Sequence, residues 1–350
     1  MKYYLAPMEG LTTYTFRMAY HKHYKDFDKY FTPFLANKNL NSRELNEILP
    51  EHNEGMLLVP QILTNRSDEF LSIAKRIAEF GYDTVNLNLG CPSGTVVAKK
   101  RGSGFLDIPF ELDKFLDEIY SKCPLKISIK TRIGIDSVSE WEDLLKIYRK
   151  YPIEELIIHP RLQKEFYKGT PHREAYTLAE EMLDCPLCYN GDITSAETLD
   201  GLCNQFPKLD TVMIGRGLLQ RPWLLESLSE MAATAIPTPE STMSPTLSSA
   251  ANCTTPPAFP SATNCTTPPA FPSAETLLTL RAFHDTLLEG YIKIMSGDQP
   301  TLFKMKDFWT FLTQGFPGSE KALKKIRKAT RISEYKIAVN EFFLKASENI

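Results

Sequence analysis

The sequence predicts an α/β architecture: a (β/α)8 TIM barrel followed by a small C-terminal helical bundle. Three observations predict it. Eight short apolar runs alternate with helical stretches, the pattern that builds parallel strands with crossover helices, and about 230 residues for eight such units is the size of one barrel. From about residue 235 to 274 the composition turns to Pro, Ser, Thr and Ala. Beyond that, helical periodicity returns in four segments.

In chain order the expected strands are residues 3–8, 29–34, 56–62, 84–89, 126–131, 155–159, 186–189 and 211–214. Between them, residues 67–80 (SDEFLSIAKRIAEF) set Phe70, Ile73, Ala74 and Ile77 on one helical face, and Gly81 follows as a stop. Ser137 with Glu140, and Thr194 with Glu197, have the spacing of capping boxes, so a helix is expected to start at each. In the proline-rich stretch NCTTPPAFPSA occurs twice, and so many prolines exclude a regular helix or inner strand. A disordered linker is expected there. Its two Asn-Cys-Thr triplets match the glycosylation sequon by accident, since no secretory signal precedes them. The helical segments that follow are 276–296, 301–314, 319–330 and 333–346. The expected organisation is therefore a catalytic barrel over 1–234, an insert over 235–275 and a helical module over 276–350.

Composition narrows the class. Hydrophobic residues are 43% and charged residues 24% of 350, values of a folded globular chain. No run approaches a membrane span, and the N-terminus MKYYLAPMEG has no sustained apolar core of a signal peptide. A cytoplasmic protein is expected, without a membrane partner. Seven irregularly spaced cysteines argue against a disulfide framework. Cys185-Pro186-Leu187-Cys188 stands alone without a second pair, so it is read as structural and no metal is expected. The net charge of −3 divides unevenly: residues 276–350 hold twelve Lys/Arg against eight Asp/Glu, and the remainder carries −7. A basic module on an acidic body points to a polyanionic partner.

Barrel strands alternate inward and outward residues, and ligands bind at their C-terminal ends. In residues 84–89 Val85, Leu87 and Leu89 share one face, which leaves Asn86 and Asn88 on the other. By the same alternation Ser128 and Lys130 point inward, while Gln61 and His159 end their strands. Gln61, Asn88, Lys130 and His159 therefore converge on one mouth. Buried polar groups are costly without partners, so a ligand site is the better reading. After the last two strands come Asn190-Gly191-Asp192 and Gly215-Arg216-Gly217, where barrels commonly bind phosphate through loop N–H groups. Gly90-Cys91-Pro92-Ser93 adds a thiol beside Asn88.

Taken in order, Ala6-Pro7-Met8-Glu9-Gly10, Asn88-Leu89-Gly90-Cys91-Pro92-Ser93, Lys130-Thr131-Arg132, His159-Pro160-Arg161, Asn190-Gly191-Asp192-Ile193 and Met213-Ile214-Gly215-Arg216-Gly217 resemble the tRNA-dihydrouridine synthases. The likeness spans barrel and bundle and omits the insert. It implies an FMN-dependent enzyme that reduces the C5=C6 bond of a D-loop uridine in tRNA. It further implies that Pro7, Met8, Gln61, Lys130, His159, Asn190, Gly191, Asp192, Gly215 and Arg216 line FMN. Asn88 and Arg161 would meet the substrate, with Lys99, Lys100 and Arg101 on the tRNA backbone, and Cys91 would protonate C5. NADPH is the implied reductant, and the absence of a GxGxxG fingerprint places it at the flavin face rather than in a site of its own. Two features depart from the family pattern: Pro160 follows His159, and the insert separates barrel from bundle. An FMN barrel acting on a free pyrimidine and a catalytically idle RNA-binding protein are the rival readings. One bundle per barrel needs no second chain, so a monomer is expected.

Overall fold

The computed structural model describes residues 1–234 and 272–348. The repeated Pro-rich sequence lies outside the described residues. Nine parallel strands form one sheet: β1 (Lys2–Leu5), β2 (Lys29–Phe31), β3 (Leu58–Val59), β4 (Gln61–Ile62), β5 (Thr84–Leu89), β6 (Lys126–Arg132), β7 (Leu156–His159), β8 (Leu187–Tyr189) and β9 (Thr211–Ile214). Their order is β3-β2-β1-β9-β8-β7-β6-β5-β4. The two ends of that order, β3 and β4, are consecutive in the chain and separated by Pro60 alone. Proline has no N–H to give to a ladder, so it divides one expected strand into two. Leu58 and Val59 pair with β2, Gln61 and Ile62 with β5, and the sheet closes on itself. Eight expected strands become nine for this local reason, with the barrel intact.

Proline also trims the neighbouring strands. Residues 3–8 were expected as one strand, but β1 stops at Leu5, one residue before Ala6-Pro7. Pro7 and Met8 thereby enter the loop at the mouth. β2 likewise ends at Phe31, ahead of Pro33.

The inward faces of β1, β2, β3, β7, β8 and β9 bring Tyr4, Phe31, Val59, Ile157, Cys188 and Met213 into one apolar cluster. Their outward neighbours, such as Leu5, Val85, Ile129, Ile158 and Ile214, join the larger core beneath the helices. Lower in the barrel, the Tyr4 hydroxyl donates to Glu155 Oε1 at 2.7 Å and Lys29 Nζ reaches Glu155 Oε2 at 3.2 Å. That ion pair closes the end remote from the mouth, and Glu155 stands on the inward face of the expected strand 155–159, two positions before Ile157 and four before His159, although β7 itself begins at Leu156.

The helix Ser67–Glu79 buries Phe70, Ile73, Ala74 and Ile77, and Gly81 turns the chain at φ +86°. Both expected capping boxes need correction. Before Glu140–Tyr148 the Glu140 carboxylate accepts from the N–H groups of Ile135, Asp136 and Ser137, so it ties down the preceding loop, and Ser137 lies outside the helix. The other box is displaced by one residue: Ser195 caps Ala196–Gln205 by accepting from Thr198 N–H.

At the C-terminal end are the helices Ala274–Ile294, Asp298–Leu312, Glu320–Lys328 and Ile332–Ser347. Ala274–Ile294 lies on Tyr14–His23, where the Phe283 ring meets Phe16 edge-on at 5.6 Å and Thr13 Oγ1 bonds Tyr291 Oη at 3.1 Å. Lys304 Nζ donates to the Gly10 carbonyl at 3.0 Å, and Gln220 Nε2 donates to Gln314 Oε1 at 2.9 Å. These contacts seat Asp298–Leu312 against the rim of the barrel. Phe308 and Trp309 are buried, where adjacent aromatic residues on a packed helix belong. Among the described residues no helix is long and apolar enough to cross a membrane.

Candidate active site

At the C-terminal ends of the strands lies a cavity of about 870 Å³. Its wall includes Pro7, Met8, Gln61, Asn88, Cys91, Lys130, His159, Asn190, Gly191, Asp192, Gly215 and Arg216. Ten of these twelve residues were placed by strand periodicity and loop position, and Pro7 and Met8 by the resemblance alone; together they come from seven strand ends. Arg161, Lys99, Lys100 and Arg101 are not on that wall. Arg161 is buried behind it, donating to the Lys168 and Gly169 carbonyls and paired with Asp192. Lys100 pairs with Asp107, and Arg101 with Glu69 at 2.8 Å, on the segment that follows the Cys91 loop.

Cys91 is held from two sides. Asn88 Oδ1 accepts from the N–H groups of Gly90 and Cys91, each at 3.0 Å. From behind, the Cys91 carbonyl accepts from Ser103 N–H at 3.1 Å and Ser103 Oγ–H at 2.9 Å. Gly102 makes that second contact possible: its φ is +56°, and a Cβ there would stand 2.8 Å from the Cys91 carbonyl oxygen. Burial raises the Cys91 thiol above its ordinary value, a hydrogen bond from the Ser93 backbone and the charge of Arg132 opposing it. At neutral pH the sulfur carries its proton.

Cations crowd the other side of the site. Burial first, then Arg132, holds the Lys130 ammonium down to about 8. Among the described residues the Lys130 ammonium has no hydrogen-bond or ion-pair partner, while its backbone is paired within the sheet. His159 is pushed well below its ordinary value by burial and by Arg132, Lys130, Arg161 and Arg216. It is neutral, and Nε2 lies 3.2 Å from Arg161 Nη1, so Nε2 accepts and Nδ1 holds the hydrogen. Asp192, at φ +45°, pairs with Arg161 and, at 2.6 Å, with Arg216. Asn190 Nδ2 donates to the Met213 carbonyl at 2.8 Å, tying the first of the two phosphate-type loops to β9. Beneath them Gly217 packs so tightly that a Cβ would overlap the Ile193 carbonyl. Gly217→Ala is expected to destabilise the protein by about 2 kcal/mol, read as a lowered Tm.

Arg132, Phe166, Tyr167 and Phe311 are among the wall residues that were not expected at the site. Arg132 donates Nε–H to the Gly90 carbonyl and Nη1–H to the Leu162 carbonyl, each at 2.9 Å, and reaches the cavity. Its signal was present, two residues beyond Lys130 on the same face of β6. Phe166 and Tyr167 come from the loop after β7, Tyr167 lying 4.6 Å from the Arg216 guanidinium. That loop has no periodicity to read. Phe311 reaches the cavity from Asp298–Leu312, although helical spacing alone would put it in the bundle core with Phe308 and Trp309.

A family model described as "Dihydrouridine synthase (Dus)" matches residues 4–254. The tRNA-dihydrouridine synthase B of Pasteurella multocida is 30% identical over 65% of this chain and 69% of its own length. A probable tRNA-dihydrouridine synthase of Staphylococcus epidermidis is 31% identical over 63% of this chain and 70% of its own. An old yellow enzyme homologue from Zymomonas mobilis superposes on 66% of this chain and 89% of its own at a TM-score of 0.48 with 11% identity, a likeness too loose to bear on chemistry. With the family model covering most of the barrel, and the Asn88–Cys91 loop and its basic surroundings built as described, the chain belongs to the dihydrouridine synthase family.

Proposed function

We propose that this chain is a tRNA-dihydrouridine synthase, with FMN in the 870 Å³ cavity, NADPH as reductant and a D-loop uridine as substrate. The observation that carries the reading is the Cys91 thiol on the wall of the same cavity as the half-buried Lys130 ammonium, which has no hydrogen-bond or ion-pair partner among the described residues. The fit to a flavin rests on that ammonium, since a half-buried cation without a partner calls for an anionic or strongly accepting ligand. Gln61, His159, Asn190 and Arg216 would hold the cofactor with it, and Gly191 and Gly215 leave room for close approach. When bound, FMN supplies a hydride.

The chain's own residues then have defined tasks. A uracil ring conjugated through its C4 carbonyl accepts hydride at C6, and the displaced electron pair spreads over C5 and O4. Cys91 gives its proton to C5, the C–H bond forms as the S–H bond breaks, and the thiolate regains a proton from solvent. Arg132, close enough to lower the thiol's pKa, steadies that thiolate. The uridine must leave its stack to reach the barrel mouth. The direct test is the purified protein with NADPH and unmodified tRNA: a flavin spectrum and formation of dihydrouridine are expected, and their joint absence overturns the reading.

In the bundle, Glu320–Lys328 buries Ile326 and exposes Lys321, Lys324, Lys325, Arg327 and Lys328. We assign this face to the tRNA backbone, with residues 276–350 as the RNA-binding module and 1–234 as the catalytic one. Reversing charge at Lys324, Lys325 and Lys328 should weaken tRNA binding and flatten its salt dependence while leaving the flavin bound. Equal affinity at moderate salt would remove the helix from the interface.

A further inference from the structure

The barrel does not build the wall of the cavity alone. Phe311 reaches it, half-buried, from the bundle helix Asp298–Leu312. That helix packs on the short helix Arg216–Gln220, which follows β9. Phe311 stands seven residues after Lys304, so the two share a helical face, and Lys304 turns that face toward the barrel by donating to the Gly10 carbonyl at 3.0 Å.

The chain beyond Phe311 is pinned as closely. Gln220 Nε2 donates to Gln314 Oε1 at 2.9 Å, and the Phe316 ring meets Trp223 edge-on at 5.7 Å. Gly315 lies so near the barrel that a Cβ there would overlap the Gln220 carbonyl. Contacts on both sides of Phe311 therefore fix where its ring stands.

That place decides which part of a ligand the ring can meet. With β3 and β4 forming one stave, β9 and β5 stand opposite each other in the closed sheet. Cys91 follows β5, whereas the helix that Phe311's helix packs on follows β9. The ring is thus across the mouth from the thiol, on the side of Gly215-Arg216-Gly217. Loops in this position suit a phosphate through their N–H groups, and Arg216 adds a positive charge.

We propose that Phe311 is a cofactor-covering residue supplied by the bundle: it closes the phosphate end of the flavin against water, so flavin retention depends on the docked bundle. The proposal rests on flavin being the ligand of this cavity. Arg216 is partly exposed, and an ion pair open to water is weak and screened by salt. An apolar ring on that side of the cavity lowers the local dielectric and strengthens the attraction between guanidinium and phosphate. It also stands in the way of a ligand leaving between the loop after β1 and Arg216–Gln220.

Three variants test it beside the wild type. Phe311→Ala removes the ring, Phe311→Leu keeps an apolar side chain, and Phe303→Ala removes an exposed ring from the same helix. The measurement is the dissociation rate of FMN from the full chain, followed by flavin fluorescence on dilution at low and at moderate salt. Phe311→Ala is expected to release FMN about tenfold faster and to grow more sensitive to salt. Phe311→Leu should lie between, and Phe303→Ala should match the wild type. Release from Phe311→Ala within about twofold of wild type, or faster release with unchanged salt dependence, overturns the proposal. Equally fast release from Phe303→Ala overturns it too, because the helix and not the ring would then be responsible. A wild type that binds no FMN overturns the flavin reading and this proposal with it, whereas a wild type that holds FMN no better than Phe311→Ala overturns the proposal alone.

Discussion

Cys91→Ala is expected to lower dihydrouridine formation by about 10²–10⁴-fold, the range a positioned general acid contributes, while flavin binding and tRNA affinity stay near wild type. The expectation follows from how the loop is held. Asn88 and Ser103 grip the backbone of Cys91, and neither touches its sulfur, so removing the thiol leaves the loop in place. Cys91→Ser should recover part of the loss, because a hydroxyl keeps the hydrogen but is a far weaker acid. The measurement is single-turnover oxidation of the reduced enzyme by unmodified tRNA, which separates the chemical step from reduction by NADPH. Turnover equal to wild type in the alanine variant would sink the proton-donor role.

Lys130→Met is expected to move activity and stability in opposite directions. The half-buried ammonium is poised to stabilise negative charge on a bound cofactor, and losing it should cost about 10²–10³-fold in kcat/KM together with weaker flavin retention. In the flavin-free protein the same ammonium is a liability. Its folded pKa of about 8 lies below the ordinary 10.5, so the unfolded chain holds its proton more tightly. Below pH 8 both states are protonated and the penalty of partly burying the charge applies, less than about 3 kcal/mol once solvent screening is allowed for. Between about 8 and 10.5 the folded state releases its proton first and the penalty fades, so this group makes the protein more stable as pH rises. Lys130→Met should raise the Tm of the flavin-free protein at pH 7 and remove that rise. An unchanged or lowered Tm at pH 7, with packing preserved, would show that the ammonium has a partner after all.

Much of the site was legible because barrel geometry converts a period of two into a direction. Asn88, Lys130, Gln61 and His159 could be placed at the mouth from alternation and strand ends, and Asn190, Gly191, Gly215 and Arg216 from loop position. Arg132 had the same signal and was passed over. The resemblance put Arg161 against the substrate, but the chain leaves β7 at His159 and the guanidinium binds the Lys168 and Gly169 carbonyls behind the wall. Tyr167 and Phe166 sit on a loop whose course depends on what it packs against, and no local pattern encodes that.

By itself the sequence determined the repeating βα order, the inward polar residues, the thiol loop and the four terminal helices, because each depends on neighbours within a few residues or one strand length. Only the tertiary structure decided the rest. Pro60 divides a strand because its missing N–H falls where β2 and β5 close the barrel around it. Phe311 belongs to the cavity and its neighbours Phe308 and Trp309 to the bundle core, a choice made by how Asp298–Leu312 seats on Gly10 and Gln220. The Asn88 oxygen is turned locally, by the N–H groups of Gly90 and Cys91, but that its amide then finds Gln61 is decided by the pairing of β4 with β5, which no single residue encodes.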